Sequence, residues 1–436
     1  MRGCHVVQTH RHTTDIGRQS TPETPFGANP DSSVALVDGA FWNTALSGTK
    51  TASDRTAEPH TRDSSHTAVS RIGWRYPGDD GRDLRLDFLR GLCLLKMVFD
   101  HLPRTPLHRY LHWTGYVTAA EGFFIISGVV LGIVYRRRVA QKGLAPATRT
   151  LWRRAGSLYL SNMVLVLLFA CLEVYGALPR HKFEYLWETE GFHWWTLLHL
   201  NQPYFLHVLP RYVFFLTFAP AAIWLLMHRK GWALLLASAT LWALNLQQLG
   251  TIRVPGLEPF KASFPLVSWQ LLFFTGVAMG WHKQTMAAWF GALPWRRVLL
   301  LATVGTVGFV ALRQAIISDL VTVNNGDKLL LFARKPLGVA RLVNITLAFG
   351  LIYLLTDRFW KPLASTAGKL LIPFGQRSLY VFLAHCVLFL GCLILGVKHH
   401  PPFPLAPWWH LALDLLLIAL LWIMVRYRFC FSLVPR

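Results

Sequence analysis

The sequence predicts an all-α, polytopic membrane protein with about ten transmembrane helices and both termini in the cytoplasm. The chain has 436 residues, of which 53% are hydrophobic and only 15% are charged, a composition typical of proteins that lie in a bilayer. Apolar runs of about twenty residues, the length that crosses the hydrocarbon core, recur from residue 84 onwards. Basic residues are concentrated in alternate connections between these runs, as the positive-inside rule requires.

The first 81 residues differ in composition from the rest of the chain. They are rich in Ser, Thr, Asp, Pro and His and contain no apolar run long enough for a signal peptide or a span. We therefore expect a disordered cytoplasmic extension over residues 1–81 and a membrane domain over residues 82–436. Acidic and basic residues nearly balance in the extension, so the net charge of +22 arises in the membrane domain. There it reflects topology and does not indicate nucleic-acid binding.

Ten apolar runs predict ten spans. They cover residues 84–102, 114–135, 155–175, 204–227, 232–249, 265–282, 298–316, 337–356, 374–396 and 408–426. Arg313 and Gln314 interrupt the seventh run, and the LLLF of residues 329–332 extends the eighth run if it belongs to the same helix.

Loop charges orient these spans. The connection after the second span carries only basic charges, from Arg136 to Arg154, which places it in the cytoplasm. The connections after the fourth, sixth, eighth and tenth spans are also predominantly basic, whereas the loop of residues 176–203 carries mixed charges. The first span then runs from inside to outside, so that Arg90 lies towards the cytoplasm and His101 near the outer surface.

The first span, RDLRLDFLRGLCLLKMVFDH over residues 82–101, holds more ionisable groups than a plain membrane anchor. Each such group costs at least about 2.5–3.5 kcal/mol in hydrocarbon. Arg90 and His101 are separated by close to three turns, so both lie on one face about 16 Å apart along the axis. Asp87 joins this face, and a structural ion pair with Arg90 and a functional role fit it equally well. Asp100 lies about 100° around the helix from His101 and is either a catalytic neighbour or an interfacial residue.

The second span begins AAEGFFIISGVVLG, and on a helix Glu121, Gly128 and Gly132 share one face. The glycine pair predicts a surface on which another helix packs closely. If the first span packs there, Glu121 and His101 lie at similar depth. A neutral imidazole can then take a proton from an attacking hydroxyl while a carboxylate fixes its tautomer. Ser127 points elsewhere and is interpreted as a packing residue or a hydrogen-bond donor to substrate.

These segments resemble a known family. LDFLRGLCLLKMVFDH, with an Arg, ten residues and then a His, is similar to the first span of the membrane acyltransferase-3 superfamily. Further segments, in matching order, resemble the OpgC branch, which succinylates osmoregulated periplasmic glucans. These are DFLRGL, AEGFFIISG, NQPYFLHVLPRYVFFL, WQLLFFTGV and FGQRSLYVF. The likeness covers about residues 82–430, and it departs at Val129, where the branch usually has Tyr, and in the N-terminal extension.

The resemblance implies acyl transfer in the bacterial inner membrane, with membrane lipid around the protein and no permanently bound cofactor. The co-substrate is succinyl-CoA or acetyl-CoA, and the acceptor is a periplasmic glucan or another envelope carbohydrate. His101 is then the catalytic base or acyl carrier, with Glu121 and Asp100 beside it. Arg90 steers the acyl-CoA arm or a succinyl carboxylate.

Further site candidates follow from the same resemblance. The expected substrate-binding residues, besides Arg90, are Asp87, Ser127, Trp269, Gln270, His385 and His207. Arg136, Arg137 and Arg153 are candidates for the phosphates of CoA, although the positive-inside rule demands the same arginines.

Some features leave alternatives open. The Trp- and His-rich outer loops, residues 176–203 and 398–410, fit an interfacial aromatic belt and a sugar-binding platform equally well. The six cysteines lack paired spacing, so we expect neither a disulfide nor a metal site. An acetyltransferase for another envelope polysaccharide or lipid-linked sugar fits the same residues, as does a transporter that relays protons through its intramembrane charges.

Overall fold

The computed structural model describes residues 82–101, 114–174, 206–248, 252, 264–394 and 406–431. Every regular element in these ranges is helical, which confirms the predicted all-α class. The extension of residues 1–81 and the outer loop of residues 176–203 lie outside the described residues, as does most of the loop of residues 398–410.

The described chain forms thirteen labelled helices and two short helical turns. They are α1 (Leu84–His101), α2 (Ala119–Lys142), α3 (Leu144–Val174), α4 (Val208–Met227), α5 (Gly231–Gln247), α6 (Leu266–Trp281), α7 (Lys283–Ala292), α8 (Trp295–Ile317), α9 (Val339–Arg358), α10 (Trp360–Ser365), α11 (Gly368–Gln376), α12 (Ser378–Ile394) and α13 (Ala406–Arg426). Between α8 and α9, the turn Asn325–Asp327 leads into a π-helical turn, Lys328–Phe332.

Each predicted span overlaps one of these helices, but fewer helices are long and apolar enough to cross a bilayer alone. Among the described residues, four helices meet that standard, namely α2, α4, α8 and α9, and the bent pair of α11 and α12 makes a fifth if it counts as one span. Helix α6 is shorter, with 16 residues, and α1 carries several ionisable groups. These apolar helices indicate a membrane protein, while the count of ten spans and the orientation of the termini stay predictions.

The glycine pair of α2 packs against α6. A β-carbon on Gly128 would collide with the carbonyl oxygen of Phe273, and one on Gly132 would collide with that of Val277. The contact is reciprocal, because Gly276 and Gly280 of α6 meet backbone oxygens of α2 in the same way. The predicted close packing on the glycine pair is therefore confirmed, but the partner is α6 and not α1. Helix α6 carries its own small-xxx-small pair, so the two backbones approach more closely than α1 and α2 can.

Helix α1 instead packs closely against α11. A β-carbon on Gly91 would collide with the carbonyl oxygen of Leu371, and one on Gly375 would collide with that of Asp87. Helix α11 then ends before Arg377. The Arg377 N–H donates to the Pro373 carbonyl of α11, and the Arg377 carbonyl accepts the first hydrogen bond of α12, from the Val381 N–H. The axes of α11 and α12 differ by 99°. The predicted ninth span, residues 374–396, is thus interrupted near the start of α1.

The glycine contact between α2 and α6 gives the first prediction. Gly128→Val should destabilise the protein by at least roughly 1–3 kcal/mol, because the new side chain forces two helix backbones apart. Gly156→Val, on the exposed face of α3 where a β-carbon meets nothing within 4 Å, is the matched control. Thermal unfolding of both purified variants in detergent measures the difference, and equal melting temperatures would contradict the packing described here.

Candidate active site

A cavity of about 510 Å³ lies where α1, α2 and α3 meet the break between α11 and α12. Its cationic lining is supplied by Arg82, Arg90, Arg137, Arg154, Lys283 and Arg377, against two acids, Asp83 and Asp87. The cavity lies at the helix ends that the loop charges predict to be cytoplasmic. Its excess of cations suits a ligand with several negative charges.

Arg90 is the deeply buried cation of this cavity, with 5% of its surface exposed. Its Nη2 donates to Ser127 Oγ at 3.3 Å, while its Nε is buried without a hydrogen-bond partner. Asp87, for which an ion pair with Arg90 was one of two interpretations, is held by Arg82, whose Nη2 donates to Asp87 Oδ1 at 2.8 Å. Within the described part of the chain, Arg90 therefore has no ion-pair partner in contact.

A network of ion pairs fixes the mouth of the cavity. Arg85 is fully buried and contacts both Asp83 and Asp357, which ties the start of α1 to the end of α9. Lys283 Nζ lies 3.5 Å from Asp83 Oδ2. Burial lowers the pKa of the Lys283 ammonium, and the Asp83 carboxylate opposes part of that shift. The acids at the mouth are thus already engaged by neighbouring cations.

His101 lies against a second histidine. His385 Nε2 of α12 is 3.0 Å from His101 Nδ1, and the two rings are nearly parallel, with centroids 5.0 Å apart. His385 is 3% exposed, and a void of about 10 Å³ adjoins the pair, enough for about one water. A residue expected to contact substrate is therefore placed as the neighbour of the expected catalytic histidine.

Glu121 was expected to lie beside His101, but it contacts other residues. Its fully buried carboxylate accepts hydrogen bonds from Arg341 Nε at 2.9 Å and Nη2 at 2.6 Å, and from the Thr118 backbone N–H at 2.9 Å and its hydroxyl. The physical reason is a capping box at the start of α2, which turns the carboxylate back over the helix end towards α9. The sequence signal was present as TAAE over residues 118–121, but it gives no hint of Arg341.

Asp100, predicted as a catalytic neighbour of His101 or an interfacial residue, pairs with Lys96 one turn before it, at 2.8 Å. Three expected substrate residues lie away from the cavity. Trp269 Nε1 donates to the Lys335 carbonyl at 3.3 Å and Gln270 Nε2 to the Ser238 carbonyl at 2.8 Å, so both hold α6 to neighbouring segments. His207 is buried at the start of α4. Of the expected substrate residues, the lining of the cavity includes Asp87, Arg90 and Ser127.

Of the three arginines expected to bind CoA, one lines the cavity and two do not. Arg137 lines the cavity, whereas Arg136 donates to the Trp281 carbonyl at 2.6 Å and Arg153 is exposed outside the lining. Arg154 lines the cavity in place of Arg153. Neighbouring residues on a helix point about 100° apart, so a basic run alone does not show which member faces inward.

A small void adjoins the cavity. It measures about 20 Å³, shares Ser127, Arg154 and Ser378 with the cavity, and is also lined by Phe123 and Phe382. The Phe382 ring contacts the His385 ring nearly perpendicularly, with centroids 5.1 Å apart. Phe382 therefore contacts the imidazole pair and also lines the void beside the cationic cavity. This arrangement suits a long anionic donor whose reactive end reaches a base.

Comparison with known proteins identifies one family. A family model described as OpgC protein matches residues 82–432. A search of curated proteins found no match.

The buried pair of Glu121 and Arg341 gives the second prediction. Glu121→Gln should lower the free energy of unfolding by about 3–5 kcal/mol, because it leaves the Arg341 guanidinium buried without its counterion. The double variant Glu121→Gln/Arg341→Met removes both charges and should regain most of that stability. Thermal unfolding in detergent measures both effects. A Glu121→Gln variant that is as stable as wild type would contradict a structural role for this pair.

Proposed function

The chain belongs to the OpgC family, and on this premise we propose that it is a multi-pass inner-membrane O-acyltransferase that succinylates a periplasmic glucan. The family and the apolar helices already fit a membrane acyltransferase. The donor we propose is a cytoplasmic acyl-CoA, and the acceptor is a sugar hydroxyl on the outer side. The observation that carries this proposal is that α1 bears Arg90 in a cationic cavity and His101 in a histidine pair further along the same helix.

The cavity supports an acyl-CoA donor through its charge and position. CoA carries several phosphate charges, which guanidinium groups bind with charge-assisted hydrogen bonds. Six cationic side chains line the cavity. Two of them, Arg82 and Lys283, engage its two acids, Asp87 and Asp83, so the other four remain for the phosphates. The predicted topology opens this end to the cytoplasm, where acyl-CoA is made.

The histidine pair supports general base catalysis. In the proposed reaction, His101 accepts the proton of the acceptor hydroxyl as its oxygen attacks the thioester carbonyl. The carbon–sulfur bond then breaks, the acyl group stays on the acceptor oxygen, and the proton passes from His101 to the departing thiolate of CoA. Because His101 Nδ1 faces His385, the proton exchange with substrate goes through Nε2.

His385 takes the orienting role that Glu121 was expected to have. A contact of 3.0 Å between His385 Nε2 and His101 Nδ1 requires one of the two nitrogens to carry the proton. In the proposed reaction His101 Nδ1 carries it and donates to His385 Nε2, so that His101 Nε2 is the basic nitrogen. His385 is therefore a positioning residue in this proposal, because it acts on the reacting atoms through His101.

The proposed reaction predicts that His101→Ala abolishes acyl transfer. The loss should be about 10²–10⁴-fold, the usual contribution of a general base. The measurement uses purified protein in liposomes with labelled succinyl-CoA and, separately, labelled acetyl-CoA, and a glucan acceptor. His228→Ala, an exposed histidine at the end of α4, is the control and should transfer at the wild-type rate. If wild type acylates no acceptor with either donor, the proposed function is wrong, and a transporter becomes the better interpretation.

The positioning role of His385 gives a further prediction. His385→Phe should lower kcat at least tenfold with little change in KM, because His101 then loses the hydrogen bond that fixes its tautomer. His385→Gln keeps a polar group near Nδ1 and should recover part of the rate. The pH profile of kcat distinguishes this positioning role from a loss of packing. Only a change in the hydrogen-bond partner of His101 shifts the pH at which kcat falls on the acid side. Identical profiles and rates for Phe, Gln and wild type would contradict the role.

A further inference from the structure

We propose that the break between α11 and α12 is a phosphate-binding site, which holds a phosphate of the acyl-CoA donor together with Arg90 and Arg377. The inference rests on the proposed function for the identity of the donor. It assigns a ligand to a part of the chain that sequence reasoning treated as the start of a continuous span.

The first observation is the position of a helix N-terminus in the cavity. Helix α12 has 17 residues, and its first hydrogen bond runs from the Val381 N–H to the Arg377 carbonyl at 3.0 Å. The N–H groups of the first turn have no acceptor within their own helix. The three residues of that turn, Ser378, Leu379 and Tyr380, all line the cavity. Helix N-termini of this kind bind phosphate through their N–H groups and their dipole.

The second, independent observation is Arg90. It lines the same cavity with 5% of its surface exposed, and its Nε is buried without a hydrogen-bond partner. Leaving a buried cation without a counterion is costly, so the site is built for an anion that arrives with the ligand. Arg377 supplies an exposed cation at the break itself, held over the Phe431 ring at 5.4 Å.

The two acids of the lining do not neutralise Arg90 and Arg377. Asp87 is engaged by Arg82 at 2.7 Å, and Asp83 is shared between Arg85 and Lys283. The region around the helix break therefore keeps a positive charge that a phosphate can neutralise.

The length of the donor decides which anion belongs here. Arg90 and His101 lie about 16 Å apart along α1. The pantetheine arm between the sulfur and the nearest phosphate of CoA is about as long as four extended residues, roughly 15 Å. A phosphate at Arg90 thus places the thioester beside His101. The free carboxylate of a succinyl group lies only a few bonds from the thioester carbonyl, so Arg90 cannot hold it while the carbonyl is at His101.

Binding of the full chain in nanodiscs of neutral phosphatidylcholine tests this assignment without requiring turnover. Wild type should bind 4′-phosphopantetheine at least tenfold more tightly than pantetheine, which lacks the phosphate. Arg377→Gln and Arg90→Gln should each weaken 4′-phosphopantetheine at least tenfold and leave pantetheine unchanged. Arg358→Gln, an exposed arginine over Phe359 that does not line the cavity, should behave as wild type. Arg377 is exposed, so its variant keeps the test valid if the buried Arg90 variant fails to fold.

Two results would overturn the assignment. One is equal affinity of wild type for 4′-phosphopantetheine and pantetheine. The other is loss of wild-type 4′-phosphopantetheine binding when anionic phosphatidylglycerol replaces phosphatidylcholine, while Arg377→Gln binds equally in both lipids. The site would then belong to a lipid headgroup. Phosphate-dependent binding without acyl transfer in the liposome assay would support the phosphate site and reject the proposed reaction. Acyl transfer without phosphate-dependent binding would support the proposed reaction and reject the phosphate site.

Discussion

The close contact between α1 and α11 is the constraint on which the candidate site depends. Gly91 and Gly375 allow the two helix backbones to touch, and this fixes α11 beside the turn of α1 that carries Arg90. The chain bends by 99° at Arg377. The first turn of α12 lines the cavity, and His385, two turns further along α12, meets His101. Larger residues at either glycine would separate all of these groups at once.

Buried charges are neutralised in the supporting contacts between helices, whereas Arg90 in the candidate site is not. Glu121 and Arg341 neutralise each other deep in the fold, as do Arg85 and its two acidic partners. Such pairs gain little net stability, because desolvation offsets most of their attraction, but they fix which helix ends meet. Arg90 differs from both arginines, because the described residues supply it with a serine hydroxyl and no carboxylate in contact. This contrast within one molecule is the observation that supports the ligand-binding role proposed for Arg90.

Sequence reasoning predicted the features that depend on one helix. The helical class, the apolar runs and the placement of Arg90 and His101 on one face of α1 follow from composition and helical periodicity. It could not predict features that depend on two helices, such as Arg341 opposite Glu121, His385 opposite His101, or α6 as the partner of Gly128 and Gly132. Periodicity gives the direction of a side chain but not the neighbour that it meets. The break at Arg377 was missed for another reason. The polar residues Gln376, Arg377 and Ser378 stand near the end of the predicted span that faces the cytoplasm, where polar and basic residues are expected in any case.

Phe382 has a consequence for the membrane itself. Its ring lines the void beside the cationic cavity and contacts the His385 ring. In the proposed topology the cavity and the histidines face different compartments, so a passage open at both ends would dissipate the proton gradient across the bilayer. An enzyme that joins a cytoplasmic thioester to an outer hydroxyl would therefore have to admit the acyl arm without becoming a pore. Phe382 is the side chain that such an arm would displace, and its return would close the space again.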